Sequence, residues 1–228
     1  MKITVSRIIR KIKNVFGKNP NSFLKEITGV IHIGANIGQE RDLYQSNGLA
    51  VIWVEPIPKV FKQLEYNLTN YKNQIPLQAL VTDVEDKEYV FHIANNNGAS
   101  SSIFNLKHHK DIWPDINFQE SITLTSTTLP TLLKKNSIDQ SNYQSLIIDT
   151  QGSELLVLKG CLPILNQFKF IKTEVADFEA YEGCCTLDQI NHFMNTNGFQ
   201  EYSKRDFAQR AKGGRYYDII FKNPLYQD

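Results

Sequence analysis

From residue 29 onward, short apolar runs alternate with stripes of helical period. Residues 30–33 and 50–54 read as buried strands, and 37–46 between them reads as a helix. Val60, Phe61, Leu64 and Leu68 recur at helical spacing, and a third strand is predicted near 77–81. The alternation resumes with a strand at 146–149, a helix over 154–165 that Pro163 interrupts, and a strand at 168–175. A helix at 187–195 follows, with Gly198 as its stop. Such strand–helix–strand alternation predicts an α/β fold with a mostly parallel twisted sheet and right-handed crossovers. The last two strands, 199–203 and 216–221, have no helical pattern between them, which predicts a terminal antiparallel hairpin at the sheet edge.

The stretch 83–127 breaks this rhythm. Two β-rich runs, 88–93 and 121–126, flank Asn95-Asn96-Asn97-Gly98 and Ser100-Ser101-Ser102. A long polar insertion with its own turn signals is expected to face a substrate. His108, His109, Lys110, Trp113 and Pro114, together with Tyr181 and the Glu182-Gly183 turn, are expected to shape an acceptor pocket there. With no internal repeat and no long linker, residues 21–228 read as one domain carrying the 83–127 insertion.

Residues 1–20 read as a separate helix. Lys2, Arg7, Arg10, Lys11, Lys13 and Lys18 occur there without an acid, and Val5, Ile8, Ile9, Ile12 and Phe16 share one helical face. A basic amphipathic helix can make weak contact with an anionic membrane surface, here the inner one. Capping of the main domain or of a partner subunit is the competing reading. The oligomeric state stays open.

Composition narrows the class. The 228 residues are 41% hydrophobic and 21% charged, which excludes a disordered chain, and no apolar run approaches the ~18–20 residues of a membrane span. The formal net charge is +1, yet beyond residue 18 there are 19 basic against 24 acidic residues. A net acidic domain disfavours nucleic acid as a partner. Cys161, Cys184 and Cys185 cannot form a disulfide framework and contain no CxxC pair, so they read as reduced thiols of a cytoplasmic protein.

The candidate chemistry begins at Val30-Ile31-His32-Ile33-Gly34-Ala35-Asn36-Ile37-Gly38, a strand running through a glycine turn into a helix. Free N–H groups at that helix start would favour a carboxylate or phosphate. Glu55, 21 residues after Gly34, stands at the end of the second strand, where a carboxylate can accept from both hydroxyls of a ribose. A dinucleotide fingerprint would need glycine where Asn36 and Gln39 stand, so the G-x-x-x-G turn suits S-adenosylmethionine better than NAD or FAD.

These residues, with Val54-Glu55-Pro56, Ser101-Ser102, Ile148-Asp149-Thr150-Gln151-Gly152-Ser153-Glu154 and Val157-Leu158-Lys159-Gly160, resemble the FkbM family of methyltransferases over about residues 29–202. The resemblance implies a Rossmann-like class I methyltransferase fold, S-adenosylmethionine as methyl donor, and O-methylation of a hydroxyl on a small molecule, sugar or glycan. It places Gly34, Ala35, Asn36 and Gly38 at the methionine end of the donor and Glu55 at the ribose. His32, Pro56, Val81 and Asp149 complete the expected cofactor-binding set. The family commonly carries aspartate where His32 stands and glutamate where Gln151 stands. His32 also reads as a hydrogen-bonded core residue, because it alternates with Ile31 and Ile33.

Ligands of open parallel sheets sit beyond the carboxyl ends of the strands. Asp149 and Glu174 end the fourth and fifth main strands, and one of them is expected to act as base or acceptor-positioning group, with Glu154 in support. Glu154 is also suited to a helix first turn for dipole and capping reasons. No third ligand accompanies the two carboxylates, so no metal is expected. Two other functions compete. A nucleic-acid methyltransferase would carry an Asn/Asp-Pro-Pro-Tyr/Phe turn where this chain has Asp149-Thr150-Gln151-Gly152; Asn223-Pro224-Leu225-Tyr226 is similar but lies after the last strand. A non-catalytic binding module is the second.

Overall fold

The computed structural model describes residues 20–226. The basic segment 1–18, expected to be a helix that contacts a membrane or caps the domain, lies outside them. Among the described residues, ten strands and five α-helices follow one another. In chain order they are β1 (Gly29–Ile33), α1 (Arg41–Ser46), β2 (Ala50–Glu55), α2 (Pro58–Leu68), β3 (Gln74–Gln78), β4 (Leu80–Val81) and β5 (Glu88–Ala94). Next come β6 (Phe118–Thr127), α3 (Leu129–Lys135), β7 (Ser145–Ile148), α4 (Glu154–Gly160), β8 (Phe170–Ala176), α5 (Leu187–Thr196), β9 (Gln200–Gln209) and β10 (Arg215–Lys222).

Seven strands form the main sheet in the order β3-β2-β1-β7-β8-β10-β9. The first five run parallel, and β10 pairs antiparallel with both β8 and β9. The fold is α/β with the C-terminal hairpin the sequence predicts. Strand order reverses between β1 and β7, so their carboxyl ends flank the crevice where ligands of such sheets bind.

Alternation along the central strands sends residues to two covered faces. Ile31, Ile33, Ile52, Val54, Leu146, Ile148 and Ile171 pack against Leu129, Leu132 and Leu133 of α3, Val157 and Leu158 of α4, and Ile190 and Met194 of α5. Val30, Val51, Trp53, Ile147 and Phe170 face the other way, against Phe23, Leu24, Tyr44 of α1 and Leu64 and Leu68 of α2. Burial on both faces explains why these strands read as unbroken apolar runs.

Four elements differ from expectation. The helix expected over 37–46 starts only at Arg41, because Asn36 (φ 46°) and Gly38 (φ 73°) take left-handed backbone that no helix accommodates. The single strand expected near 77–81 is two: β3 joins the main sheet, while β4 pairs with β6 in a separate three-stranded sheet of order β4-β6-β5. The helix over 154–165 closes as α4 at Gly160, and Pro163 sits in a following 3-10 turn, Leu162–Gln167. Helix α3 was not expected at all; Thr128 caps it by accepting from the Thr131 N–H.

Among the described residues, no helix is long and apolar enough to cross a membrane. Leu146 lies fully buried at the centre of the sheet. Leu146→Ala is expected to cost about 2–5 kcal/mol in a urea titration, whereas Tyr66→Ala, at a side chain 76% exposed on α2, is expected to change stability by no more than about 0.5 kcal/mol.

Candidate functional site

A cavity of about 190 Å³ opens at the carboxyl ends of β1, β2 and β7. Its walls include His32, Gly34, Ala35, Asn36, Glu55, Pro56, Val81 and Asp149, which are eight of the nine cofactor-binding residues expected from sequence. The ninth, Gly38, stands behind the wall, where a Cβ would come within 2.8 Å of Leu64. Gly34 is the tighter position. With φ at 82°, a Cβ on it would lie 1.8 Å from the Asp149 carbonyl oxygen. The Asp149 N–H also donates to the Ile33 carbonyl at 2.9 Å, so the β1 and β7 loops meet backbone to backbone.

The glycine turn does not present free amides at the expected places. The N–H groups of Gly34 and Ala35 donate to the Val54 carbonyl at 2.9 and 3.0 Å, and Gly38 donates to the Ala35 carbonyl. Asn36 donates its N–H to Glu55 Oε2 at 2.9 Å, and Ile57 donates to Glu55 Oε1 at 2.9 Å. The turn therefore serves to hold Glu55 rather than to cradle an anion. Each Glu55 oxygen keeps a second lone pair for a ligand hydroxyl. Burial pushes the Glu55 carboxyl up to about 7 against those two N–H donors, with Asp149 adding to the rise.

His32 is buried and hydrogen-bonded, as its alternation suggested. Its Nδ1 lies 3.2 Å from the Tyr44 hydroxyl, and its ring stacks on Trp53 with centroids 5.1 Å apart. Burial and Lys172 hold it down to about 3, so the ring on the cavity wall is neutral. Among the described residues, the cavity lining carries Glu40, Glu55 and Asp149 and no lysine or arginine. Ile57, Leu80, Val81 and Phe91 supply an apolar wall, and Gly98, Ala99 and Ser101 from the insertion cover it. The Asn36 amide donates to the Asn97 carbonyl at 3.1 Å and ties that cover to the glycine turn.

The three expected catalytic carboxylates take different places. Asp149 lines this cavity and also a second, polar one of about 240 Å³ bounded by His32, Glu40, Tyr44, Lys172, Glu174 and Asp218. Asp149 and Glu174 meet in that second space, not in the first. Glu174 faces Asp218 across β8 and β10, and the Lys172 ammonium sits 3.0 Å from Asp218. Burial, then repulsion from Asp149 and Asp218, drives the Glu174 carboxyl well above the usual range. Burial likewise raises Asp149 to about 6. Glu154 stands outside the first cavity. It accepts from the N–H groups of Thr150 and Gly152, each at 3.0 Å, while Ser153 makes no side-chain cap. Its carboxylate braces the β7–α4 loop.

His108, His109, Lys110, Trp113 and Pro114 of the insertion, and Tyr181, do not line the first cavity. His109 is buried, its Nδ1 lies 2.8 Å from the Tyr216 hydroxyl, and its ring packs on Trp113 and Tyr181 at 4.5 and 5.1 Å. This aromatic cluster is a small core behind the loop, because burial keeps the imidazole down at about 4 and neutral. Sequence reasoning missed Glu40, Lys172 and Asp218. They come from three segments that only the folded sheet brings together, although the period of β8 marks Lys172 and Glu174 as one face. The Asn223-Pro224-Leu225-Tyr226 turn is pinned near the start of β8, with Asn223 and Tyr226 donating to the Asn166 and Gln167 carbonyls. That is the pole opposite the cavity.

The fold has solved counterparts. An M. capricolum TrmK structure in complex with S-adenosyl-homocysteine aligns over 94% of this chain and 72% of its own, with a TM-score of 0.53 and 11% identity. A METTL16 MTase domain aligns over 91% and 65%, also with a TM-score of 0.53 and 11% identity. At those identities the likeness is one of fold. No curated protein matches the sequence. The model of the methyltransferase FkbM domain matches residues 32–201, three-quarters of the chain. The chain belongs to the FkbM family of methyltransferases, with S-adenosylmethionine as its cofactor.

Proposed function

We propose that the protein transfers the donor's methyl group to a hydroxyl of an uncharged acceptor, a sugar, glycan or small polyol-like metabolite. The observation that carries this reading is the acidic lining of the two adjoining cavities: among the described residues, Glu40, Glu55, Asp149 and Asp218 surround a single lysine, with Glu174 driven toward its neutral form. Such walls suit a donor that is itself a cation, through its sulfonium and ammonium groups, and repel phosphate-bearing acceptors. When bound, the donor supplies an activated methyl group.

The chain's own part is binding, alignment and proton transfer. Glu55 holds the ribose hydroxyls, while Ile57, Leu80, Val81 and Phe91 receive the flat adenine face. Asp149, on the wall common to both cavities, takes the proton that the acceptor hydroxyl gives up as its oxygen meets the methyl carbon. A carboxylate raised to about 6 is ionised at neutral pH yet basic enough for that task. Alignment of the two reactants contributes up to ~7–11 kcal/mol, and the base a further 10²–10⁴-fold, as general estimates.

Two outcomes are expected. Donor affinity, measured by calorimetry, should rise with pH. The ribose hydroxyls donate to ionised Glu55, whose carboxyl titrates near 7, so the dissociation constant should fall roughly tenfold from pH 6 to pH 8 and then level off. Glu55→Gln should flatten that profile and weaken binding by about ten- to a hundredfold, because its NH₂ would oppose an N–H of Asn36 or Ile57. Second, with labelled donor, neutral hydroxyl-bearing sugars and metabolites should gain a methyl group. Asp149→Asn should cut that rate by about 10²–10⁴-fold while donor binding persists. Label entering RNA, with none in hydroxyl acceptors, would favour the nucleic-acid reading instead.

A further inference from the structure

Asp149 is held from behind by a chain of side chains that the reaction does not consume. Its Oδ1 accepts from Gln151 Nε2 at 2.7 Å. Gln151 Oε1 in turn accepts from the Tyr181 hydroxyl at 2.7 Å. Gln151 takes left-handed backbone, φ 53°, a conformation that costs a residue with a side chain on the order of 1 kcal/mol or more. The surroundings hold it there: its carbonyl accepts from Ser102 Oγ at 2.7 Å, and Gly152, next in the chain, donates to both Glu154 oxygens. Asp149 Oδ2 has no hydrogen-bond partner among the described residues.

Resting on the reading above, we propose that Gln151 and Tyr181 are positioning residues: they tie down one oxygen of Asp149 and leave the other uncommitted as the proton acceptor. The donor and acceptor count gives the relay a direction. A phenol has one proton, and Tyr181 directs it at Gln151 Oε1, which obliges the amide NH₂ to point at the carboxylate. The reverse amide orientation would set a carbonyl oxygen against an ionised carboxylate 2.7 Å away. A proton taken up on Oδ2 leaves Oδ1 an acceptor, so the amide NH₂ keeps donating to it while the Tyr181 hydroxyl, which also lies 3.3 Å from the Ser100 carbonyl, holds the amide's other end. The relay therefore keeps one orientation, and the bond from Gln151 weakens as the charge on Asp149 is lost.

Other charged and titratable groups also face Asp149: His32 from β1, Glu40 from the turn before α1, Glu55 from β2, Glu154 from α4, Lys172 and Glu174 from β8, and Asp218 from β10. None of them hydrogen-bonds to Gln151 or Tyr181 except Asp149 itself, so variants at those two residues separate the relay from the general field.

The test follows the carboxyl carbon of Asp149 by NMR in protein labelled with [¹³C]aspartate, assigned by its loss in Asp149→Asn. Tyr181→Phe keeps the ring on His109 and removes only the hydroxyl; Gln151→Met keeps length and removes both polar ends. Each should raise the Asp149 titration midpoint, by about one pH unit for Gln151→Met and somewhat less for Tyr181→Phe. In the wild-type protein, the side-chain NH₂ resonances of Gln151 should move with the same midpoint as Asp149. Donor affinity at pH 8 should be unchanged in Tyr181→Phe, whose ring stands outside the first cavity. An Asp149 midpoint unmoved by either substitution, or Gln151 resonances flat across the titration, would overturn the relay. The titration needs neither acceptor nor donor, so failure of wild-type protein to bind S-adenosylmethionine would count against the functional reading alone.

Discussion

Keeping negative charge at the edge of water is the constraint around which the carboxyl end of this sheet is built. An unpaired carboxylate removed from solvent costs several kcal/mol or else takes up a proton. The structure answers differently at each site. Glu55 receives two backbone N–H groups, Glu154 receives the amides of its own loop, and Asp149 receives a side-chain amide. Glu174 receives none of these, and it is the carboxylate whose affinity for a proton rises well above the usual range. The carboxyl ends of neighbouring strands thus hold carboxylates that range from doubly braced to unbraced.

The scaffold was largely legible in the sequence because the central strands are buried on both faces, and the glycine turn and Glu55 follow from their spacing. What escaped has physical causes. Helix α3 is two turns long and begins at Leu129-Pro130 directly after a strand, so no period could show. The terminal hairpin runs well past its apolar core because most of β9 faces solvent on both sides. Strands β3 and β4 are contiguous in apolar character, and only pairing with β6 assigns Leu80 and Val81 to another sheet.

The site was legible in part for the same reason. Residues at strand ends, such as Glu55 and Asp149, inherit their place from the fold. Glu40, Lys172 and Asp218 do not, since their proximity depends on the antiparallel insertion of β10 beside β8. His109 and Trp113 look like pocket furniture in a linear reading, yet Tyr216 from the last strand makes them a core. A loop's composition says that it is polar; it does not say which distant strand will cover it.

Contact between the Gly34 turn and the Asp149 carbonyl leaves no room for even one methyl group. The spacing between the β1 turn and the loop after β7 is thus fixed by main chain alone. Side chains around the rim can be exchanged without altering that spacing. A lineage built on this chassis can recast the cover and the outer wall of the crevice, while the reach from the β1 turn to Asp149 stays constant.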